Sequence, residues 1–415
     1  MKHTLVEKIF ARNVGHEVKP GDIITVNVDW CMVDDIMAKF CIHKFEEMGF
    51  TKVFDPDKIC LIYDHFVPAT QTDDTIAFHA GDAFAEKYGL THVHRTDGIC
   101  HQLMTEAGYV KPGDIAFGTD SHTVTYGCVG AFSTGIGYTE MASILGTGQV
   151  WVRVPESIKV VVDGVLPENV TSKDVILRII GDLTASGATY QSIEFTGTTI
   201  DAMSVASRMT MSNMAVECGA KNGIFIPDEK TCEYCGIPYD DSIKELRPDE
   251  GATYSRVLHY QAEELVPVMA CPSLVDNIHP VSEIKGVKVD EVFLGSCTNG
   301  RLEDLHMVAN MLKGKKKAPF VQFIVTPASR EVYKAAMDDG TMEILSNAGA
   351  IITTPGCGLC CGRAGGVLTD GEVVISTSNR NFLGRMGTSK VQIYLASPIM
   401  AAKAVIAGEI TDEEV

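Results

Sequence analysis

Short apolar runs alternate with amphipathic segments along most of the chain, and the C-terminal third shows this pattern most clearly. The run Asp290–Leu294 predicts a strand, a turn is expected at 295–300, and the periodic segment Arg301–Lys313 predicts a helix. Another strand is predicted at Phe320–Thr326, and a helix is expected to start at Ser329. Further strands are predicted at 350–353, 373–377 and 391–395, and a final helix near 397. This alternation predicts an α/β protein with a largely parallel sheet.

The same pattern suggests how the chain is divided. With 415 residues it is long enough for two or three domains. Sheet-like runs restart near residues 155 and 285, which predicts three α/β domains at 1–155, 156–285 and 286–415. The polar stretch Thr231–Arg256 is predicted to be a surface excursion.

Charge narrows the range of partners. The net charge is −19, and Lys315–Lys317 is the longest basic run. A surface this acidic repels phosphate backbones and anionic lipids, so we expect neither a nucleic-acid nor a membrane partner. Apolar stretches stay below the ~18 residues of a transmembrane helix, and the start lacks the layout of a secretory signal, so a cytoplasmic enzyme is expected. An anionic substrate would need a locally positive pocket.

Thirteen cysteines in a chain without a signal sequence point to reduced thiols rather than a disulfide framework. Seven of them stand singly in apolar stretches and are expected to be small buried hydrophobes: Cys31, Cys41, Cys60, Cys100, Cys128, Cys218 and Cys271.

Three other thiols lie on glycine-rich turns that follow predicted strands. Cys297 lies in Gly295–Gly300, and Cys357 and Cys360 lie in Pro355–Gly362. Glycines let the backbone approach and donate N–H groups to sulfur, as a cluster-binding loop requires. Two thiolates at C-x-x-C spacing plus a distant third could hold an iron–sulfur cluster.

The spacing alone leaves other interpretations open. A zinc site or a thiol–disulfide pair would also use a C-x-x-C spacing. The second pair, Cys232 and Cys235, could supply further zinc ligands, and Cys361 competes with Cys360.

Acidic residues and histidines follow two predicted strands. Asp64-His65 follows Ile59–Tyr63, and Asp120-Ser121-His122 follows the strand at 115–118. A carboxylate beside an imidazole fixes its tautomer and supports its charged form, which suits general acid catalysis. One such pair could simply cap a helix. Two pairs, together with His101, favour an active site.

Paired arginines occur in the loop Ser378–Arg385. Arg380 and Arg385 put two guanidinium groups on a glycine-containing loop, where they could recognise carboxylates. Surface salt bridges are the alternative.

Five of these segments, taken together, resemble the aconitase superfamily. They occur in the family's order and span about residues 60 to 390: Tyr63-Asp64-His65, Gly118–Thr123, Gly295–Gly300, Pro355–Gly362 and Ser376–Gly387. The resemblance implies three α/β/α domains around a central cluster cleft. It also implies one 4Fe–4S cluster held by Cys297, Cys357 and Cys360, whose fourth iron has no protein ligand and acts as a Lewis acid.

The resemblance further implies the roles of the other site residues. The acid–imidazole pairs would be Asp64 with His65, Asp120 with His101, and Glu217 with His122, and His65 would donate a proton to the leaving hydroxyl. Ser121 and Arg385 would touch a substrate carboxylate, Arg380 would hold a carboxylate or orient the site, and Asn213 and Asn379 would hydrogen-bond cluster sulfurs or substrate.

One catalytic part of the family is not found in this chain. Family members remove a proton from carbon with a serine on a swivelling fourth domain, and this sequence ends at Val415, after the third domain. In two-subunit members a small partner carries that domain and the serine base. The resemblance therefore implies the large subunit of a hydro-lyase that acts on a 2- or 3-substituted malate.

The substrate expected first is 3-isopropylmalate, and the alternatives are 2,3-dimethylmalate and homoaconitase- or citraconate-type substrates. The segment Asp29–Met37 departs from the family's usual His-Asp/Glu-Gly/Val-Thr signature, and Gly362–Gly366 departs by adding an arginine. Two other classes are a zinc hydrolase that uses the histidines and Asp120, and a cluster-based sensor that binds RNA. The acidic charge counts against the RNA-binding sensor.

Overall fold

Three largely parallel β-sheets and a two-stranded ribbon organise the computed structural model, which describes residues 2–363 and 365–415. In edge-to-edge order, the five-stranded sheet contains His92–Arg95, Ile59–Tyr63, Trp30–Asp34, Ile115–Gly118 and Phe132–Gly135. The four-stranded sheet contains Asn222–Phe225, Ser192–Thr196, Ser157–Asp163 and Arg256–Gln261. The seven-stranded sheet contains Ile278–Pro280, Val268–Ala270, Gln392–Leu395, Val373–Ser376, Glu291–Gly295, Gln322–Thr326 and Ile351–Ile352. The antiparallel ribbon pairs Ile23–Asn27 with Gln149–Arg153.

Helices lie between most of these strands. The α-helices are Leu5–Val14, Ala38–Glu47, Thr72–Tyr88, Cys100–Glu106, Tyr138–Thr147, Ser172–Leu183, Thr198–Ala202, Val205–Met214, Glu229–Cys235, Asp241–Lys244, Ser296–Asn299, Leu302–Leu312, Arg330–Asp338, Thr341–Ala348 and Pro398–Ala407. The short 3₁₀ segments are Pro56–Lys58, Ser121–Val129, Ala215–Cys218, Ala262–Glu264, Val281–Glu283 and Gly358–Cys361.

The direction of the strands confirms the predicted α/β class. Every pairing within the five- and four-stranded sheets is parallel, and the seven-stranded sheet is antiparallel where Val268–Ala270 meets its two neighbours. The strands Ile59–Tyr63, Ile115–Gly118 and Glu291–Gly295 are buried along their whole length. Such continuously buried strands are typical of parallel sheets covered by helices on both faces.

The predicted elements of the C-terminal third form within one or two residues of their expected bounds, including the short strand Ile351–Ile352. Ser329 Oγ accepts the Val332 backbone N–H at 3.1 Å and so starts the helix Arg330–Asp338. Residues 295–300 differ from the prediction, because Ser296–Asn299 form a short helix rather than an open turn.

The three-domain division stays a prediction. The four-stranded sheet lies within the predicted middle domain, whereas Val268–Ala270 and Ile278–Pro280, which precede residue 285, pair within the seven-stranded sheet. The predicted excursion Thr231–Arg256 includes the end of the helix Glu229–Cys235 and the short helix Asp241–Lys244, and Cys232 and Cys235 within it are buried. No helix among the described residues has the length and apolar character needed to span a membrane.

Candidate active site

The candidate site forms where strands of different sheets end. Asp64 and His65 directly follow Ile59–Tyr63, and Asp120 lies two residues beyond Ile115–Gly118. Cys297 follows Glu291–Gly295 in the seven-stranded sheet. Parallel strands expose loops and helix starts at their carboxyl ends, which is why α/β proteins place polar groups there.

The first acid–imidazole pair is fully buried. His65 Nδ1 lies 2.7 Å from Asp64 Oδ1, and Asp64 Oδ2 accepts the Cys100 backbone N–H at 2.6 Å. Burial alone would lower the pKa of His65, but the Asp64 carboxylate and then Asp35 raise that pKa well above its usual value. The two carboxylates therefore favour the protonated form of the ring.

Asp120 stands at the centre of the histidines. Its Oδ1 lies 2.8 Å from His101 Nε2 and accepts the His122 backbone N–H at 2.7 Å, while Oδ2 is 3.8 Å from His65 Nε2. Burial would raise the pKa of Asp120, but its hydrogen bonds to His101 and His122 lower it well below the usual value. His101 Nδ1 is buried with no hydrogen-bond partner among the described residues, so it is available to a ligand.

Glu217 joins the third pair to an arginine. Its Oε1 lies 2.7 Å from His122 Nε2 and accepts Arg380 Nε at 2.9 Å. Burial would raise the pKa of Glu217, whereas His122 and Arg380 lower it. The structure thus brings together the three acid–imidazole pairs that the resemblance implied.

Asn379 links two of the candidate cluster cysteines. Its Nδ2 donates to Cys297 Sγ at 3.2 Å and to Asn213 Oδ1 at 3.0 Å, and its Oδ1 lies 3.5 Å from Cys360 Sγ. Arg385 Nη2 lies 3.6 Å from the same Cys360 sulfur. The pKa of the Cys360 thiol is held well below its usual value by a hydrogen bond from Cys357, against the effect of burial and with help from Arg385.

Cys361 faces a different group. Its Sγ lies 3.7 Å from the His65 backbone carbonyl and 3.5 Å from that of Gly358, and the residue is half-buried. Cys297, Cys357 and Cys360 are each buried, with exposures of 3%, 4% and 2%.

The thiol loop and the first acid–imidazole pair are directly connected. The Cys357 backbone N–H donates to the Asp64 carbonyl at 2.9 Å. Gly356, with φ +154°, permits this approach, because a Cβ at that position would lie 2.7 Å from the Asp64 carbonyl oxygen.

Ser121 lies on the more open side of the site. It is half-buried and lines a cavity of about 750 Å³ that Trp151, Val216 and Lys221 also border. Arg385 Nε is buried without a hydrogen-bond partner among the described residues. A hydroxyl and an unpaired guanidinium N–H are groups that bind carboxylates.

Four site residues escaped the sequence analysis. Asp34 and Asp35 are buried at the end of the strand Trp30–Asp34, and Asp35 Oδ1 accepts the His65 backbone N–H at 3.2 Å. Burial raises the pKa of Asp34 to about 6. These two residues could have been recognised in the sequence, because they lie at the end of a strand and inside the segment that departs from the family signature.

The other two missed residues are cations. Arg301 donates to the backbone carbonyls of Cys297 and Thr298, both at 2.6 Å, and Lys173 donates to those of Thr377 and Ser378. No motif marked either residue, because the groups that each contacts come near only in the folded chain.

A zinc interpretation was also open, and His101, Asp120 and His122 have potential ligand atoms within 4.8 Å of one another. Nε2 of both histidines is already paired with a carboxylate oxygen. Zinc prefers a neutral imidazole nitrogen with a free lone pair. Burial and Arg380 would lower the pKa of His122, but its hydrogen bonds to Asp120 and Glu217 raise that pKa above the usual value and so favour the protonated ring.

Comparison with a solved structure supports the fold. The crystal structure of the Thermococcus kodakaraensis aconitase X (holo-form) aligns with a TM-score of 0.50, covers 94% of this chain and 88% of that one, and is 13% identical in sequence. At this identity the likeness concerns the fold alone.

Comparison of sequences is more specific. The 3-isopropylmalate dehydratase large subunit 1 of Methanopyrus kandleri is 46% identical over 413 residues, 99% of each chain. The probable methanogen homoaconitase large subunit of Methanothermobacter thermautotrophicus is 44% identical over 417 residues, 99% of this chain and 97% of that protein. The family model described as "Aconitase family (aconitate hydratase)" matches residues 7–286 and 275–408. The chain therefore belongs to the aconitase family.

Proposed function

We propose that this chain is the large subunit of an iron–sulfur hydro-lyase that dehydrates and rehydrates a substituted malate, with 3-isopropylmalate as the first substrate. The observation that carries the proposal is the convergence of three acid–imidazole pairs on a set of buried thiols that one asparagine connects. Relatives named 3-isopropylmalate dehydratase large subunits, 43–46% identical over the whole chain, support the substrate.

Cys297, Cys357 and Cys360 would hold the 4Fe–4S cluster. The three thiols are buried, and Asn379 contacts two of them, which fits a cluster-binding set. The half-buried Cys361, which faces the His65 carbonyl, fits this role less well. When bound, the cluster would supply a Lewis-acidic iron with a free position for the substrate hydroxyl and carboxylate.

His65 would donate the proton to the departing hydroxyl. Asp64 and Asp35 favour its protonated ring, and a group that stays protonated at neutral pH can act as a general acid. The pairs Asp120–His101 and Glu217–His122 would fix the orientation of the two imidazole rings, and each carboxylate would balance the charge of its histidine.

Arg380, Arg385 and Ser121 would bind the substrate carboxylates. Arg380 is fixed by Glu217, and Arg385 has an unpaired buried N–H. Asn213 and Asn379 would then contact cluster sulfur or substrate.

The carbon-bound proton requires a base, and we propose that a small subunit brings it as a serine on a swivelling domain. Relatives carry the words "large subunit" in their names, which supports a second subunit. The free thiols suit a reducing compartment, so we propose the cytoplasm.

The second candidate substrates are 2,3-dimethylmalate and homoaconitase- or citraconate-type acids. The homoaconitase relative at 44% identity supports the latter. Asp34 and Asp35 lie beside His65, in the segment Asp29–Met37 that departs from the family signature, and so favour a substrate other than 3-isopropylmalate.

The test is a substrate panel with the small subunit present. The chain is reconstituted anaerobically with iron and sulfide, and kcat/KM is measured for 3-isopropylmalate, 2,3-dimethylmalate and homoaconitate. We expect a brown protein with four irons per chain and the highest kcat/KM for 3-isopropylmalate.

Cysteine variants provide the matched control. Cys360→Ser should lose both iron and turnover, whereas its neighbour Cys361→Ser should keep both. A colourless zinc protein, or iron lost from Cys361→Ser but kept by Cys360→Ser, would contradict the proposal.

A further inference from the structure

Lys173 is a fully buried lysine, with an exposure of 0%, at the start of the helix Ser172–Leu183. Its Nζ donates to the Thr377 carbonyl at 2.7 Å and to the Ser378 carbonyl at 2.6 Å. These contacts join the beginning of one helix to a loop more than 200 residues away along the chain. Burying an ammonium group costs free energy, so two good acceptors are needed to hold it there.

The two carbonyls immediately precede Asn379 and Arg380, which make key contacts of the site. Asn379 reaches Cys297 and Cys360, and Arg380 reaches Glu217. A displacement of this backbone would therefore move the Asn379 amide away from the cysteine thiols and the Arg380 guanidinium away from the Glu217 carboxylate.

The side chain of Thr377 also connects this loop to the segment 295–300, which carries Cys297. Thr377 Oγ1 accepts the Gly295 backbone N–H at 3.0 Å and lies 3.4 Å from the Asn299 carbonyl oxygen. Lys173 thus completes a connection between the turn that carries Cys297 and the loop that carries Asn379.

Charges around the ammonium group are mainly negative. Burial lowers the pKa of Lys173 to about 7, and Asp304, Cys297, Cys360 and Asp174 each act to raise it. Thiolates that carry a cluster would strengthen this attraction, because their charge is permanent.

We propose that Lys173 is a positioning residue that holds the loop 377–380 in place for Asn379 and Arg380, and that its buried positive charge stabilises the thiolate-bound cluster. The inference rests on the proposed function for its second half. The first half concerns the polypeptide alone and can be tested without a cluster.

Lys403 provides a matched control. It is buried to a similar degree, with 8% exposure, and its Nζ donates to the Asp412 carbonyl at 2.7 Å. Lys403 therefore makes the same type of contact on the helix Pro398–Ala407, where it holds the C-terminal segment rather than the site.

The experiment compares Lys173→Met, Lys173→Arg and Lys403→Met. In the cluster-free protein, hydrogen–deuterium exchange at residues 377–381 should be faster in Lys173→Met and unchanged in Lys403→Met. In the reconstituted complex, Lys173→Met should raise KM for 3-isopropylmalate by about tenfold or more, as expected for a lost contact of a charged donor. It should also shift the reduction potential of the cluster to lower values, because a nearby positive charge favours the reduced form.

The charge-conserving variant separates the two roles. Lys173→Arg should retain the reduction potential and raise KM, since a guanidinium cannot reproduce both contacts in the same space. If Lys173→Met does not fold, this variant decides: a changed potential or a wild-type KM overturns the proposal. A folded Lys173→Met with wild-type exchange, KM and potential also overturns it. If the wild-type chain builds no cluster, the proposed function fails, while the exchange experiment still tests the positioning role.

Discussion

Asp35 contacts His65 and the residue after it with both carboxylate oxygens. Oδ1 lies 3.5 Å from His65 Nδ1, and Oδ2 accepts the Phe66 backbone N–H at 2.8 Å. The carboxylates of Asp64 and then Asp35 raise the pKa of His65 against the effect of burial. If His65 is the proposed proton donor, Asp35 therefore supports this role by favouring the protonated ring.

This arrangement predicts how activity depends on pH. His65 must be protonated to donate, so activity is present below its pKa and falls as pH rises through that pKa. Asp35→Asn removes one charge that raises the pKa and should move the alkaline fall of kcat/KM to lower pH, by about one unit. The check is a pH profile of the reconstituted complex. Asp97→Asn is the control, since Asp97 pairs with the half-buried His94 at 3.1 Å. An unmoved or upward-shifted limb in Asp35→Asn would contradict the role of Asp35.

At the residue scale, sequence reasoning could select candidate site residues where they form part of a motif. Asp64-His65 and the glycine-rich cysteine turns could be found because their neighbours along the chain identify them. Arg301 and Lys173 could not be found in this way. Both bind backbone carbonyls, and Arg301 also binds the Gln102 and Thr210 side chains, all of which come near only in the folded chain. Asp35 lies between these cases, since its partner His65 is 30 residues away.

At the scale of elements, the loop Pro355–Gly362 contacts the residues that follow the strand Ile59–Tyr63, and one of these contacts is the hydrogen bond from Cys357 N to Asp64 O. This bond connects Cys357, a candidate cluster ligand, to Asp64, the partner of the proposed proton donor His65. The Gly356 backbone makes room for it.

Gly356→Ala should therefore damage the site. Its Cβ would lie 2.7 Å from the Asp64 carbonyl oxygen, which is backbone and cannot move freely. We expect a loss of about 1–3 kcal/mol in the free energy of unfolding and a lower iron content after reconstitution. Gly371→Ala is the control, because Gly371 also has positive φ, +87°, but has open space around its Cβ position. Equal losses in both variants would show that backbone strain, and not the contact with Asp64, is responsible.

Elements with local signals were predicted well. Ser329 and Ser397 cap the helices that follow them, and both serines were visible in the sequence. The short helix Ser296–Asn299 was not predicted, because Arg301 stabilises its carbonyls from outside the helix. The place of Val268–Ala270 in the seven-stranded sheet could not be predicted either, because this strand pairs with Gln392–Leu395, over 100 residues away along the chain.

At the scale of the whole molecule, several arginine and lysine side chains lie at the candidate site of an otherwise acidic protein. The net charge is −19, yet Arg301, Arg380, Arg385 and Lys173 all contact groups of the site. Within this set Arg385 keeps a buried N–H without a hydrogen-bond partner among the described residues, which suits a carboxylate of the proposed substrate. The sequence indicated the need for a locally positive pocket from the charge, but the relative placement of the sheets that satisfies it came from the fold.

In the proposed function, the described residues would supply the proton donor, the carboxylate-binding groups and the cluster thiols, and a second subunit would supply the carbon base. Residues that act as one catalytic unit fail together, so a missing base should reduce the rate by at least about 10³-fold.

The most direct measurement is therefore the turnover of the cluster-loaded chain without its partner, followed by the same assay after the small subunit is added. The substrate is 3-isopropylmalate, and iron content is measured in both samples so that cluster loss cannot explain a low rate. We predict full iron content in both samples, negligible turnover by the chain alone, and recovery of activity when the small subunit is present. A cluster-loaded chain that turns over alone as fast as the complex would place the base within this chain and contradict the account.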